Sequence, residues 1–164
     1  MDHIYSNWIF GNKIHMISAQ QIKELRVSTG AGISDIKHAL AESGGDMGQA
    51  RVLIEEKFGQ SAGKRSGRDT GAGVMDAYIH SNARLGVLVE ILCETDFVAR
   101  NPEFKGMVHD IAMHIAASDP ADAASLLSQP FIKDERRRIG DLINDAIGRF
   151  GENIKVGRFA RFEI

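Results

Sequence analysis

The chain contains 164 residues, 43% of them hydrophobic, and carries 20 lysines and arginines against 22 aspartates and glutamates. Since domains usually contain about 100 to 200 residues, we expect one main domain with room for a small second module. The formal net charge of −2 provides no global positive field, so direct binding to nucleic acid or to an anionic membrane is not expected. A protein or a small molecule is the favoured partner.

Cysteine usage and hydropathy indicate the compartment. Cys93 is the single cysteine, so the chain has no intrachain disulfide and too few thiols for a structural zinc site, and only an intermolecular bridge is open to it. No apolar run approaches the roughly 20 residues that span a bilayer. We therefore expect a cytoplasmic protein without membrane contact.

The first 16 residues include the single tryptophan, Trp8, and show neither helical nor strand periodicity. We interpret residues 1–16 as an unstructured leader, arising from an upstream start codon or from an artificial extension before Met16.

Residues 17–59 predict three short helices. Capping-box patterns at 18–21 and 46–49 start the first and third helices, and Gly30 and Gly59 are expected to stop them. Helices of this length are marginal alone in water, so they are expected to pack as a bundle of the ubiquitin-associated type.

Residues 60–73 read QSAGKRSGRDTGAG and show no apolar periodicity. This composition predicts a flexible basic linker between two units. Lys64, Arg65 and Arg68 could contact phosphates, but a solvated linker is the favoured interpretation.

The region 74–164 begins with two alternating stretches, 75–79 and 85–93, that predict a β-hairpin. Cys93 falls on the apolar face of its strand, which favours a small buried hydrophobe over a reactive thiol. Asn101 then precedes Pro102, a typical start for an amphipathic helix.

That helix is expected to close near Ser118, and a second helix carries its apolar stripe over 139–150 before Gly151. The tail is expected to form a half-buried strand with Ile154, Val156, Ala160, Phe162 and Ile164 on one side. The predicted class is α+β, with a three-stranded antiparallel sheet covered by two helices in the order β-β-α-α-β. An exposed edge of so thin a layer favours pairing with a second copy.

Enzymatic signals are weak. Neither glycine pair, at 30–32 or at 71–73, has the third glycine of a dinucleotide-binding fingerprint. Asp110 and His114 lie one helical turn apart but have no third metal ligand nearby. We expect no catalytic residue, no metal and no cofactor.

The stretch CETDFVARN at residues 93–101 places an acid and an aromatic residue where a strand gives way to a helix. From composition alone, the favoured interpretation is that Asp96 caps a short turn while Phe97 staples the corner into the core.

Four motifs together change that weighting. They are TGAG at 29–32 followed by Asp35, CETDFVARN, GENI at 151–154 and RFARFE at 158–163. In this order they resemble translation elongation factor Ts from about residue 17 to residue 164. The resemblance implies a guanine nucleotide exchange factor that binds elongation factor Tu, in its GDP-bound and nucleotide-free forms, and promotes GDP release without covalent chemistry.

The resemblance also implies the contact residues. The Asp-Phe pair of the TDFV motif enters the GTPase near its Mg²⁺ site, and the N-terminal bundle adds a second contact. In this sequence the matching positions are Thr95, Asp96, Phe97 and Val98 in the motif, and Arg26, Ile33 and Lys37 in the bundle.

The chain also departs from the longer members of that family. It resembles a compact form that lacks the second core repeat and the helical-hairpin insertion, because only residues 121–133 separate the two core helices. The compact form implies a homodimer in which the partner copy replaces the missing half. Gly157 stands where the family's tail often has arginine.

Two other functions remain open. A non-catalytic adaptor of the ubiquitin-associated type, with a dimerising C-terminal layer, would explain the bundle but not CETDFVARN. An RNA-binding protein would use the basic residues Lys64, Arg65, Arg68, Arg136, Arg137 and Arg138. RNA binding through these residues should depend steeply on salt concentration, and the slightly acidic net charge of the chain disfavours such binding.

Overall fold

A computed structural model describes residues 17–164, and the expectation for residues 1–16 lies outside this range. The described residues form two compact units that divide between Lys57 and Phe58. The first unit is helical and the second combines a sheet with helices, so the predicted α+β class is confirmed.

The first unit contains α1 (Ala19–Thr29), α2 (Ile33–Glu42) and the beginning of α3 (Met47–Arg65). The capping box of Ser18 is present, and Gly30 ends α1 in the left-handed conformation with φ 71°. The residues that fill this unit are buried and recur at helical spacing: Leu25, Ile36, Leu40, Ala50 and Ile54.

Helix α3 does not stop at Gly59, so the predicted stop is wrong. The helix continues to Arg65, and Gly59 has no positive φ that would mark a glycine terminus. Glycine inside a helix costs about 1 kcal/mol relative to alanine, so something outside the local sequence stabilises this last part.

That stabilisation comes from packing within the second unit. The Phe58 ring lies directly on Gly148, where a Cβ would overlap the ring, and Ala62 belongs to the hydrophobic core. The Arg65 Nε donates to the Gly151 carbonyl at 3.0 Å. Residues 60–65 of the predicted linker are therefore helical, and only 66–71 connect α3 to the first strand. The flexibility of those six residues stays a prediction.

The main sheet has three antiparallel strands, β1 (Ala72–Ile79), β2 (Leu85–Cys93) and β5 (Lys155–Glu163), with β2 in the centre. The predicted hairpin is β1 and β2, although β1 begins at Ala72 rather than at Met75. The tail strand is also confirmed as β5.

Between β2 and β5 the chain forms more elements than the sequence predicted. In order they are α4 (Asp96–Arg100), α5 (Pro102–Ser118), α6 (Ala123–Ser128), the hairpin of β3 (Pro130–Phe131) and β4 (Asp134–Arg138), and α7 (Ile139–Phe150). The two long helices are those predicted. Asn101 caps α5 by accepting from the Glu103 N–H at 2.8 Å, and Gly151 ends α7 with φ 72°.

The core of the second unit lies on one side of the sheet. Alternate β2 residues, Val87, Val89, Ile91 and Cys93, join it with the apolar stripes of α5 and α7. Phe104 of α5 meets Phe150 of α7 edge to face, with ring centroids 6.0 Å apart.

The facing residues of the tail differ from the prediction because β5 contains a bulge. The register shifts between Val89 and Ile91, so Val156 and Phe159 face the core while Phe162 is 73% exposed. The strict alternation predicted for this strand is therefore wrong. One extra residue inverts the faces beyond it.

Glu90 occupies the space that the bulge leaves. Its carboxylate accepts from the Arg158 backbone N–H at 3.1 Å, and a Cβ at Gly157 would lie 2.5 Å from Glu90 Oε2. Glycine at 157 therefore follows from the position of this carboxylate.

Candidate functional site

The corner between β2 and α4 presents the TDFV motif. Thr95 is the N-cap of α4, and Val98 and Ala99 are buried in the core. Because consecutive helical residues point about 100° apart, a helix that directs 98 and 99 inward directs Phe97 outward. Local geometry thus sets which side chain the corner exposes.

Phe97 is 90% exposed, so the interpretation that it staples the corner into the core is wrong. Asp96 is not the cap either; it lies in the first turn of α4, exposed, 3.5 Å from the Arg100 guanidinium. Val98 is only 7% exposed and offers little surface to a partner. The corner therefore exposes one acid and one benzyl ring, and anchors itself through Val98.

The carboxylate of Glu152 accepts hydrogen bonds from the corner, a role that the sequence did not predict. Its Oε2 accepts from the backbone N–H groups of Glu94 at 3.1 Å and Thr95 at 3.0 Å. Its Oε1 accepts from the Thr95 hydroxyl at 2.5 Å. The sequence indicated Glu152 only as part of the GENI motif, which matched the family but did not show what the carboxylate does.

Cys93 lies at the base of the same corner. It is fully buried, as predicted, and its Sγ donates to the Thr95 carbonyl at 3.3 Å. Burial raises the pKa of the thiol, and the nearby charge of Glu152 raises it further. The group therefore stays a protonated hydrophobe with little nucleophilic character.

The three predicted bundle residues belong to the first unit and are all exposed. Ile33 opens α2 directly after its N-cap Gly32, and Lys37 follows one turn later on the same face. Arg26 lies in the last turn of α1. Ile33 is an apolar residue presented to solvent, as a docking residue would be.

Comparison with known proteins identifies the family. A family model described as Elongation factor TS matches residues 94–164. The elongation factor Ts of Koribacter versatilis is 40% identical over 193 residues, covering 90% of this chain and 88% of that protein. Those of Desulforamulus reducens and a Thermoanaerobacter species are also 40% identical over 90% of this chain, covering 89% and 95% of their own lengths. The chain belongs to the elongation factor Ts family. It is thus a member of a family of translation elongation factors, as the motifs predicted.

The alignments with these elongation factor Ts proteins extend over 193 positions, more than the 164 residues of the chain. The relatives therefore contain residues that this chain lacks.

Four of the six basic residues considered for RNA binding form contacts inside this elongation factor Ts fold. They are Arg65 with the Gly151 carbonyl, Arg68 with Glu94, Arg136 with Asp134, and Arg137 with Asp145. Arg68, Arg136 and Arg137 are paired with carboxylates, which lowers their contribution to a phosphate-binding field, so the arrangement weakens the RNA-binding hypothesis.

Asp110 and His114, the pair considered as metal ligands, each bind a different partner. His114 is buried and its Nε2 donates to Gln129 Oε1 at 2.9 Å, whereas Asp110 pairs with Lys133 at 2.5 Å. Within residues 17–164 no cluster of three or more possible metal ligands is present. In the same range, every helix is too short or too polar to cross a bilayer.

Proposed function

We propose that this chain is a guanine nucleotide exchange factor that binds elongation factor Tu and promotes GDP release during translation elongation in the cytoplasm. It binds both the GDP-bound and the nucleotide-free GTPase, and it performs no covalent chemistry. The observation that carries the proposal is the 90% exposed Phe97 on a short, anchored helix at the corner that bears the family motif.

An exposed benzyl ring is unfavourable in the free protein and favourable at an interface. Burying a phenylalanine side chain contributes about 1.5 to 3 kcal/mol. In the proposed mechanism, Phe97 enters the GTPase near its Mg²⁺ site and displaces the elements that hold the metal. Since Mg²⁺ neutralises the phosphates of GDP, this displacement weakens nucleotide binding.

Linkage makes the effect reciprocal. If the exchange factor lowers the affinity of the GTPase for GDP, then GDP must lower the affinity of the GTPase for the exchange factor to the same extent. Each 1.4 kcal/mol of coupling corresponds to about a tenfold change in affinity, so one buried aromatic side chain can supply a useful part of the coupling.

The other predicted contact residues have distinct roles in this proposal. Asp96 meets a polar group of the GTPase beside the ring, Thr95 starts the presenting helix, and Val98 anchors it in the core. Arg26, Ile33 and Lys37 form a second docking surface on the bundle. The adaptor hypothesis assigns no role to Phe97, so exchange is the better-supported function.

Release of a fluorescent GDP analogue from elongation factor Tu tests the proposal. The wild-type chain should accelerate release, and Phe97→Ala should lower kcat/KM of exchange by about 10- to 100-fold because the ring no longer enters the GTPase. Ile132→Ala, which truncates an exposed apolar residue between β3 and β4, is the control and should keep wild-type exchange.

Two results would contradict the proposal. If the wild-type chain leaves the release rate unchanged, the chain is not an exchange factor for this GTPase. If Phe97→Ala and Ile132→Ala exchange equally well, exchange does not depend on the ring.

We also propose a homodimer formed through the open face of the main sheet. Directly paired residues share a face, and the side opposite the core carries Met75 and Ile79 of β1, Leu88 of β2, and Ala160 and Phe162 of β5. Within it, Glu90 is neutralised by Arg158 at 3.3 Å. Lys155, which pairs with Leu92 at the start of β5, also lies on this side. A largely apolar surface of this kind fits an identical surface on a second copy.

A further inference from the structure

The exposed ring of Phe97 sits on a helix that cannot hold its own orientation. Helix α4 contains five residues, and isolated helices shorter than about 12 residues are marginal in water. Its N-cap, Thr95, makes no side-chain cap hydrogen bond to the helix. The direction of α4 must therefore be set by contacts outside the helix.

Burial of Val98 and Ala99 supplies some of those contacts, and Glu152 supplies polar ones. Its carboxylate accepts three hydrogen bonds, from the N–H groups of Glu94 and Thr95 and from the Thr95 hydroxyl, at 2.5 to 3.1 Å. The Thr95 hydroxyl, which could have capped α4, is thereby used to attach the corner to the end of α7. Hydrogen bonds to an ionised carboxylate are stronger than neutral ones, so three of them attach the corner firmly.

A second set of contacts runs in the opposite direction. The Glu94 carboxylate accepts from the Asn153 N–H at 2.6 Å, and the buried Asn153 amide donates to the Arg68 carbonyl at 2.6 Å. Residues 94–95 and 152–153 thus bind each other reciprocally, side chain to backbone in both directions. Together with the burial of Val98 and Ala99, these two sets of hydrogen bonds hold the corner in one orientation.

We propose that Glu152 is the positioning residue of the exchange reaction, holding α4 so that Phe97 points into the GTPase. The role rests on the proposed function, and Glu152 acts through Phe97 without entering the partner itself. Loss of the carboxylate leaves two amides and a hydroxyl without their acceptor, and the corner samples other orientations. The apparent affinity for the GTPase then falls in proportion to the fraction of molecules that keep the competent orientation.

A double-mutant cycle tests this role in the exchange assay. Glu152→Ala should lower kcat/KM about tenfold in the wild-type background. In the Phe97→Ala background it should lower it less than twofold, since the group it positions is already gone. A merely structural role would reduce exchange by the same factor in both backgrounds, and that result would overturn the proposal.

Conservative replacement and a matched control separate positioning from folding. The amide oxygen of Glu152→Gln can accept both backbone N–H groups and its NH₂ can donate to Thr95 Oγ1, so exchange should stay within about threefold of wild type. Asp122→Ala removes a carboxylate that caps α6 by accepting from Ser125 N–H at 2.7 Å. It should lower Tm without lowering kcat/KM.

A measurement without the GTPase keeps this proposal separate from the proposed function. Phe97→Trp in a Trp8→Phe background places the single tryptophan at the corner. Adding Glu152→Ala should speed the decay of its fluorescence anisotropy, whereas Glu152→Gln and Asp122→Ala should leave the decay unchanged. An unchanged decay with Glu152→Ala overturns the positioning role, whatever the exchange assay shows. An inactive wild-type chain with a faster decay in Glu152→Ala would refute exchange alone.

Discussion

Individual residues of this fold have roles that depend on whether they are buried or exposed more than on their chemical type. Phe97 and Phe104 are both phenylalanines and lie seven positions apart, but Phe97 is 90% exposed and Phe104 is fully buried. The exposed ring is available to a partner, while the buried one packs against Phe150. Phe104 belongs to the long apolar stripe of α5, whereas the five residues of α4 are too few to form a stripe that would place Phe97.

His114 shows the same dependence for a titratable group. It is fully buried on α5, where its Nε2 donates to Gln129 and its Nδ1 accepts from the Ile132 N–H at 3.4 Å. Burial lowers the pKa of His114 from its ordinary value of 6.5, although the hydrogen bond with Gln129 partly opposes this effect. A neutral imidazole thus attaches the β3–β4 hairpin to α5, since protonation would remove the acceptor at Nδ1.

The stability of the protein should therefore fall on mild acidification. Because the folded pKa of His114 is lowered, its contribution is complete above pH 6.5 and is lost as the pH falls from 6.5 through the folded pKa. Each unit of lowering corresponds to about 1.4 kcal/mol. Urea unfolding between pH 7.5 and 5.5 should show this loss in wild type and in the exposed control His80→Gln. His114→Gln should flatten it, and an equal pH slope in all three would contradict the assignment.

At the scale of elements, α3 shows how packing overrides a local stop signal. Gly59 carries the composition of a helix end, yet α3 continues for six residues because Phe58 and Ala62 pack in the second unit. The Arg65 guanidinium then satisfies the Gly151 carbonyl just beyond the last turn of α7. Each helix therefore stabilises the end of the other.

A substitution distinguishes a helical glycine from a terminal one. Gly59→Ala should raise the free energy of unfolding by about 0.5 to 1 kcal/mol, because the position is helical and a Cβ there meets nothing within 4 Å. Gly30→Ala should lower it by about 1 kcal/mol, since Gly30 ends α1 at φ 71°. Chemical denaturation measures both, and a loss of stability in Gly59→Ala would restore the predicted stop.

At the scale of the whole molecule, the described helices of the second unit cover one side of the main sheet. Its core side joins α5 and α7, while the opposite side exposes Met75, Ile79, Leu88 and Phe162. Large contiguous apolar patches are uncommon on monomers. The proposed homodimer would cover this face in each copy.

Light scattering at micromolar concentration should give about twice the 18.0 kDa mass of the chain. Leu88→Glu should produce a monomer, because Leu88 lies in the central strand and two copies of the new charge would be buried in one interface. Val52→Glu, which changes a similarly exposed residue on α3, should remain dimeric. A wild-type monomer, or equal masses for the two variants, would refute the interface.

The sequence by itself determined the features that depend on neighbouring residues. Caps at Ser18 and Asn101, the stop at Gly151, the β1–β2 hairpin and the stripes of α5 and α7 all follow from short-range spacing and were predicted correctly. The family also followed from the sequence, since its motifs are contiguous. Local hydrogen bonds and periodic burial need no knowledge of the rest of the chain.

Only the tertiary structure decided the features that depend on residues far apart in sequence. The continuation of α3 past Gly59 needs Gly148, and the bulge at Gly157 needs the carboxylate of Glu90. The attachment of the TDFV corner involves Glu152, which lies 57 positions beyond Thr95 and binds it through both backbone and hydroxyl. Such contacts form between residues that only the fold brings together, so the spacing of residues along the chain does not predict them.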